Sequence, residues 1–114
     1  MFFVDEERVR RGSEALLPDA QTQDIADTFK VLAHPTRVKM IRALAAGELC
    51  VCEISEVVGL SVSATSHQLH QLRDLRLVRS RAEGKLVHYS IQDPYVLALI
   101  EDCARHISGR EIRA

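Results

Sequence analysis

Three cysteines, five histidines and a block of small polar residues hold most of the chemistry in this chain of 114 residues. Cys50 and Cys52 stand one residue apart in the run Glu48-Leu49-Cys50-Val51-Cys52-Glu53-Ile54. Thiolates bind soft or borderline cations, and two this close in sequence can chelate a single ion. In a regular helix residues i and i+2 point about 200° apart. Both cysteines therefore reach one ion only where the backbone is irregular, and Gly47-Glu48-Leu49 places them at the entry to a helix. A helix N-terminus also lowers a thiol's pKa, which favours the metal-binding thiolate. The competing role is packing, since free cysteine often serves as a small buried hydrophobe. An odd number of cysteines, two of them nearly adjacent, does not make the disulfide framework of a small secreted domain.

A second set of residues has a different chemistry. Residues 61–72 contain no Asp, Glu, Lys or Arg, in a chain that is 27% charged. Proportion alone would put about three there, and solvated helix faces are usually built from such residues. Helical spacing sets Val62, Thr65, Leu69, Leu72 and Arg76 on one side, and Ser63, Ser66, His67, His70, Gln71, Arg73 and Asp74 on the other. Ser, Thr, His and Gln side chains suit hydrogen bonds to base edges and phosphates. The helix N-terminus at Ser61 favours a phosphate. Arg73, Arg79, Arg81 and Lys85 flank the segment and can hold a backbone on either side. The candidate DNA-contacting set is Ser61, Ser63, Thr65, Ser66, His67, His70, Gln71, Arg73, Arg79, Arg81 and Lys85.

The elements that must carry these side chains are also legible. Residues 1–20 are charged, weakly patterned and closed by Pro18-Asp19, which predicts an N-terminal arm or frayed helix. From Thr22, the apolar Ile25, Ala26, Phe29, Leu32 and Ala33 follow helical spacing until His34-Pro35 stops it. Pro35 suits the first turn of the next helix, with Val38, Ile41, Leu44 and Ala45 on one face and Gly47 at its end. Residues 51–58 form a short helix closed by Gly59, and Ser61 caps another that reaches about residue 75. Two short helices joined by Gly59-Leu60-Ser61 have the pattern of a helix-turn-helix.

Beyond Leu77 the period changes. Val87, Tyr89 and Ile91 alternate with His88 and Ser90, a strand with one buried face, and residues 78–83 can pair with it across a turn at Gly84. Asp93-Pro94 opens a last helix whose Val96, Ile100, Cys103 and Ile107 make an apolar stripe, widened by Leu97 and Ala104. The expected fold is mainly α with a small β-hairpin, a winged helix-turn-helix. Residues 1–20 are the arm, 21–110 the winged helix-turn-helix domain with the DNA-contacting set, and 111–114 a tail.

Composition excludes several alternatives. The net charge of −1 draws no polyanion over the whole surface. Locally, however, residues 29–47 carry Lys30, Arg37, Lys39 and Arg42 with no acid, and 61–92 carry five bases against two acids. A hydrophobic fraction of 46% excludes a disordered tail. No apolar run approaches the roughly 18 residues of a membrane span. Met1-Phe2-Phe3-Val4 meets Asp5-Glu6-Glu7 at once, unlike a signal peptide, so a reduced, cytoplasmic protein is expected. No Gly-rich loop or acid pair offers a cysteine nucleophile its base and oxyanion site, so the chain is not read as an enzyme.

The run 48–54, with Ser66-His67-Gln68-Leu69 and Leu72-Arg73, resembles the ArsR/SmtB family of metal-responsive repressors over about residues 23–108. The resemblance implies a winged-helix homodimer, built through its N-terminal and C-terminal helices, that binds operator DNA and releases it when metal binds. It implies Cys50 and Cys52 as ligands of a thiophilic ion: arsenite or antimonite, Cd, Pb or Zn. Family members that sense Cd or Pb add cysteines from the N-terminal arm, but residues 1–49 have none. Arsenite-sensing members often have a further Cys where this chain has Ser55. His34, Asp5, Glu6, Glu7, Ser55 and Cys103 remain as donors to complete the shell.

A second family site uses an Asp-x-His and a His-x-x-Glu pair across the paired last helices. Asp93 and His106 are kept, while Tyr95 and Gly109 replace the other two. Cys103, one turn from His106, could rebuild that site with Asp93 of a second copy. For Cys103 a place in the apolar stripe is favoured, and for His106 an exposed helix end. A thiol redox or persulfide sensor on the same fold is the alternative function.

Overall fold

The computed structural model describes residues 3–113, with side chains placed through residue 109. The chain divides between Val31 and Leu32 into two compact units. In the first, helix α1 spans Glu6–Glu14 and helix α2 spans Asp19–Leu32. The Asp5 carboxylate caps α1 by accepting from the Arg8 N–H at 3.1 Å, and Glu6 and Glu7 complement the helix dipole. Arg10 pairs with Glu7 and Glu14. Neither helix has a buried residue, and Ile25 and Phe29 stand 42% and 55% exposed. The apolar pattern of residues 22–33 thus forms a helix whose outer apolar members stay open.

The second unit holds α3 (Pro35–Leu44), β1 (Leu49–Cys50), α4 (Val51–Val58), α5 (Val62–Asp74), β2 (Val78–Glu83), β3 (Leu86–Ile91) and α6 (Pro94–Arg113). The last helix continues through residues read from sequence as a tail. The three strands form an antiparallel sheet in the order β1-β3-β2, with Arg81 opposite His88 and Cys50 also opposite His88. The fold is therefore the winged helix-turn-helix expected, with a third strand added. Met40, Ile41 and Leu44 of α3 are buried, as are Ile54 of α4, Leu69 and Leu72 of α5, Val78, Tyr89 and Val96. Each such side chain stabilises the unit by about 1.5–3 kcal/mol on full burial.

Two chain reversals set helix α5. Gly59 ends α4 in the left-handed region at φ 74°, with its N–H on Ser55 O at 2.9 Å. The buried Ser55 hydroxyl donates to Leu60 O at 2.5 Å, bracing the same turn. At the other end of α5, Arg76 takes φ 62°, while its N–H meets Arg73 O and the Leu77 N–H meets Leu72 O. That is the two-bond arrangement of a Schellman end, with arginine in the left-handed position glycine usually fills. Buried Leu77 and Leu72 provide its apolar contact.

Candidate functional site

Helix α5 begins at Ser61, whose hydroxyl accepts from the Ala64 N–H at 3.1 Å. Ser63, His67, His70 and Arg73 are exposed along one face, and Ser66 and Gln71 are half-buried beside them. Thr65 is corrected: it has no exposed surface and so cannot reach a groove. Its position follows from the four- and three-residue steps to buried Leu69 and Leu72, which put it on the inward face. Arg37 of α3, absent from the sequence-based set, donates to Gln71 Oε1 at 2.8 Å.

On the wing, Arg79 and Lys85 are exposed, Lys85 at the tip beside Gly84, whose φ of 60° makes the two-residue turn. Arg81 is placed differently from expectation. Its Nε donates to both Glu48 oxygens at 3.1 Å, Nη2 to Glu48 Oε1 at 2.6 Å, and Nη1 to Glu83 at 2.8 Å. Two carboxylates stand where a phosphate was expected. The hydrogen bonds from Arg81 hold the Glu48 carboxyl below its ordinary range, and the same pairing raises the guanidinium. Half-buried His88 lies 3.6 Å from Glu83 and 4.0 Å from Glu48.

The cysteines meet where these elements join. Cys50 is the N-cap of α4, with extended backbone angles of −82° and 166°, and Cys52 follows in the first turn. The irregular entry that chelation requires is present. Glu53 Oε1 accepts from the Cys50 N–H at 2.9 Å, which depresses the Glu53 pKa, and the sulfur stands where a Ser or Thr oxygen would face the Glu53 N–H. Cys50 is buried and Cys52 exposed, yet both line one groove of about 220 Å³. Val51, Val62, Ser66, Lys85, Leu86 and Val87 complete its walls, so both cysteines lie beside α5 and the wing. Two soft donors in one groove at a helix N-terminus fit a thiophilic ion as part of its shell.

The remaining candidates are not gathered there. Among the described residues no group of three or more His, Cys, Asp or Glu side chains is arranged to hold a metal. Ser55 is spent on Leu60, and His34 is exposed at the N-cap of α3. Asp93 accepts from the Tyr95 N–H at 3.0 Å, a turn that starts α6. Thirteen residues separate Asp93 from His106, about 20 Å along a helix, so one chain cannot bring them to a common ion. Cys103, given a place in the apolar stripe of α6, is exposed in the single chain, as is Ile107 of that stripe. It lies with Leu99, Asp102, Arg105 and exposed His106 around a shallow depression on α6.

Glu48, Glu53, Arg37 and His88 were missed as members of these sites. Only Glu53 carried a local signal, the three-residue step from a cap position. The others act across the fold.

Comparison with known proteins agrees with this architecture. The family described as "Bacterial regulatory protein, arsR family" matches residues 34–80. The chain is 41% identical to a transcriptional repressor SmtB homolog of Synechocystis sp., over 89% of this chain and 76% of that protein. It is 37% identical to a cadmium resistance transcriptional regulatory protein CadC homolog of Staphylococcus aureus, over 91% and 86%. Among solved structures, the AntR antimony-specific transcriptional repressor superposes with a TM-score of 0.78 at 38% identity, covering 84% of this chain and 87% of that one.

Proposed function

Because this chain belongs to the arsR family of bacterial regulatory proteins, we propose that it is a DNA-binding transcriptional repressor released from its operator by a thiophilic metal or metalloid at Cys50 and Cys52. The observation that carries the reading is the groove in which both thiols share walls with Ser66 of the reading helix and Lys85 of the wing. In this reading α5 enters the major groove with Ser63, Ser66, His67, His70 and Gln71 toward the bases. Ser61 and Arg73, with Arg79 and Lys85 on the wing, meet phosphates. An ion held there supplies bonds that draw the two sulfurs together. Cys50 stands at the N-cap of α4 and its backbone pairs with His88 in the sheet, so a shift of its backbone disturbs both. Glu48, two residues earlier, grips Arg81 of the wing. Such a shift is carried to the wing through Glu48 and Arg81, and to α5 through α4, which packs against it.

A coupling of about 1–3 kcal/mol gives roughly 5- to 150-fold weaker DNA binding. Relatives named for cadmium resistance and for antimony favour a metal or metalloid over a purely redox signal; arsenite, antimonite, Cd, Pb and Zn all suit sulfur donors. Anaerobic titration with Cd, Zn and arsenite, read by ultraviolet thiolate absorption and DNA anisotropy, tests the assignment. The Cys50→Ser/Cys52→Ser variant should bind DNA as wild type does and stay bound when the inducer is added. Release of that variant at the wild-type inducer concentration would move the switch to Asp93, Cys103 and His106.

A further inference from the structure

Gln71 sits on the reading face of α5 yet is tied to α3, because Arg37 Nη2 donates to its Oε1 at 2.8 Å in a partly buried place. A guanidinium has N–H donors and no acceptor, so the atom it meets must be the amide oxygen. That pairing fixes which way round the amide lies. Gln71 Nε2 then stands 3.4 Å from Nε2 of His67, one turn earlier on the same face. An amide NH2 group only donates, so the imidazole nitrogen facing it accepts, and the proton of neutral His67 resides on Nδ1.

The consequence is a reading face with a defined polarity. With its oxygen held by Arg37, Gln71 offers DNA an N–H, and neutral His67 offers its Nδ1–H. A glutamine that reads adenine in bidentate fashion must accept from N6 while donating to N7. Arg37 takes one of the two lone pairs of Gln71 Oε1 and holds that oxygen toward α3, so the amide is not free to turn its acceptor to N6. Guanine presents two acceptors in the major groove, O6 and N7, and asks for no acceptor in return.

We propose that Arg37 is a positioning residue for DNA sequence specificity, holding Gln71 as a donor so that the reading face selects guanine over adenine. This rests on the reading that α5 enters the major groove. Because the contact exists in the protein alone, the amide is set before DNA arrives, and less side-chain freedom is lost on binding.

The test uses full-length wild type, Gln71→Ala, Gln71→Glu and Arg37→Met to select duplexes from a random double-stranded library, with circular dichroism confirming the fold. Wild type should enrich a sequence with guanine at a position whose preference disappears in Gln71→Ala. Arg37→Met keeps an apolar arm but frees the amide oxygen, and should move that position toward adenine by about 5- to 100-fold in the guanine-to-adenine ratio. Gln71→Glu keeps the contact with Arg37 but has no donor, and should lose the guanine preference. Replacing that guanine with 7-deazaguanine should weaken wild type and leave Gln71→Ala unaffected. Should Arg37→Met fail to fold, the Gln71→Glu and 7-deazaguanine comparisons decide. An unchanged guanine preference in Arg37→Met, adenine at that position in wild type, or no position sensitive to Gln71→Ala overturns the proposal while leaving DNA reading by α5 intact. If wild type enriches no sequence, both ideas fail together.

Discussion

At the scale of single residues, what a side chain can do was legible wherever its type and its helical position agreed. Ser63, His67 and His70 are exposed polar groups on the side opposite Leu69 and Leu72, as spacing required. Thr65 was included for its hydroxyl, although its position aligned it with the core. Its buried Oγ1 has no hydrogen-bond partner. Thr65→Val, which keeps the shape and removes an unpaired polar atom, should stabilise the protein by about 1 kcal/mol. DNA affinity should not change; a weaker complex with an unchanged fold would return Thr65 to the interface. Arg81 erred the other way, because its partner Glu48 lies 33 residues off and no local pattern announces it. Since two carboxylates already neutralise Arg81, Arg81→Ala should leave the salt dependence of DNA binding nearly unchanged. Arg79→Ala and Lys85→Ala should each reduce that slope by about one. The Glu48 pKa is depressed in the fold, so its contribution is present above the ordinary carboxyl value of 4.5 and is lost as pH falls through the lower folded value. Thermal melts from pH 7 to 3 should show a flatter acid limb for Glu48→Gln than for wild type, and superimposable acid limbs would assign that loss to other carboxylates.

At the scale of elements, periodicity located every long helix and both wing strands, because each has enough residues to repeat. The short strand β1 escaped. Two residues cannot show alternation, and Leu49–Cys50 becomes a strand only because Tyr89 and His88 lie opposite it. That pairing makes the cysteine segment at once a sheet edge and a helix cap, which its sequence did not reveal. Helix ends followed their caps at Ser61 and Gly59, but the end of α5 depends on Arg76 in a conformation its side chain disfavours. A left-handed residue other than glycine costs about 1–2 kcal/mol, part of which glycine's extra freedom in the unfolded chain gives back. Arg76→Gly should therefore raise stability by about 0.5–1 kcal/mol, a few degrees in melting temperature for a chain of this size. An unchanged or lowered melting point would mean that the arginine side chain offsets the strain by contacts of its own.

At the scale of the whole molecule, apolar surface left uncovered is the informative feature. Phe29 and Ile25 project from α2, and Tyr95 and Ile107 from α6, while Val96 of the same stripe is buried and Ile100 half-buried. The sequence announced these stripes as helical faces, yet periodicity cannot tell a face covered by its own chain from one kept for a second copy. Exposure in the single chain separates the two, and it favours association through both end helices as the proposed route to a homodimer. A two-fold dimer would present two α5 helices to half-sites about one DNA turn apart, and joining them multiplies affinity without any new contact. Phe29→Asp tests this without removing a core residue, because that side chain is more exposed than buried in the single chain. Helicity by circular dichroism should be retained, sedimentation should shift from dimer to monomer mass, and DNA binding should weaken by about 100-fold or more as the second half-site is lost. In a dimer the introduced carboxylate would lie desolvated without a partner, which is why a single substitution is enough to separate the copies. A Phe29→Asp protein that remains dimeric and binds DNA with wild-type affinity would show that α2 faces solvent in the assembly and that the subunits meet through α6 without it.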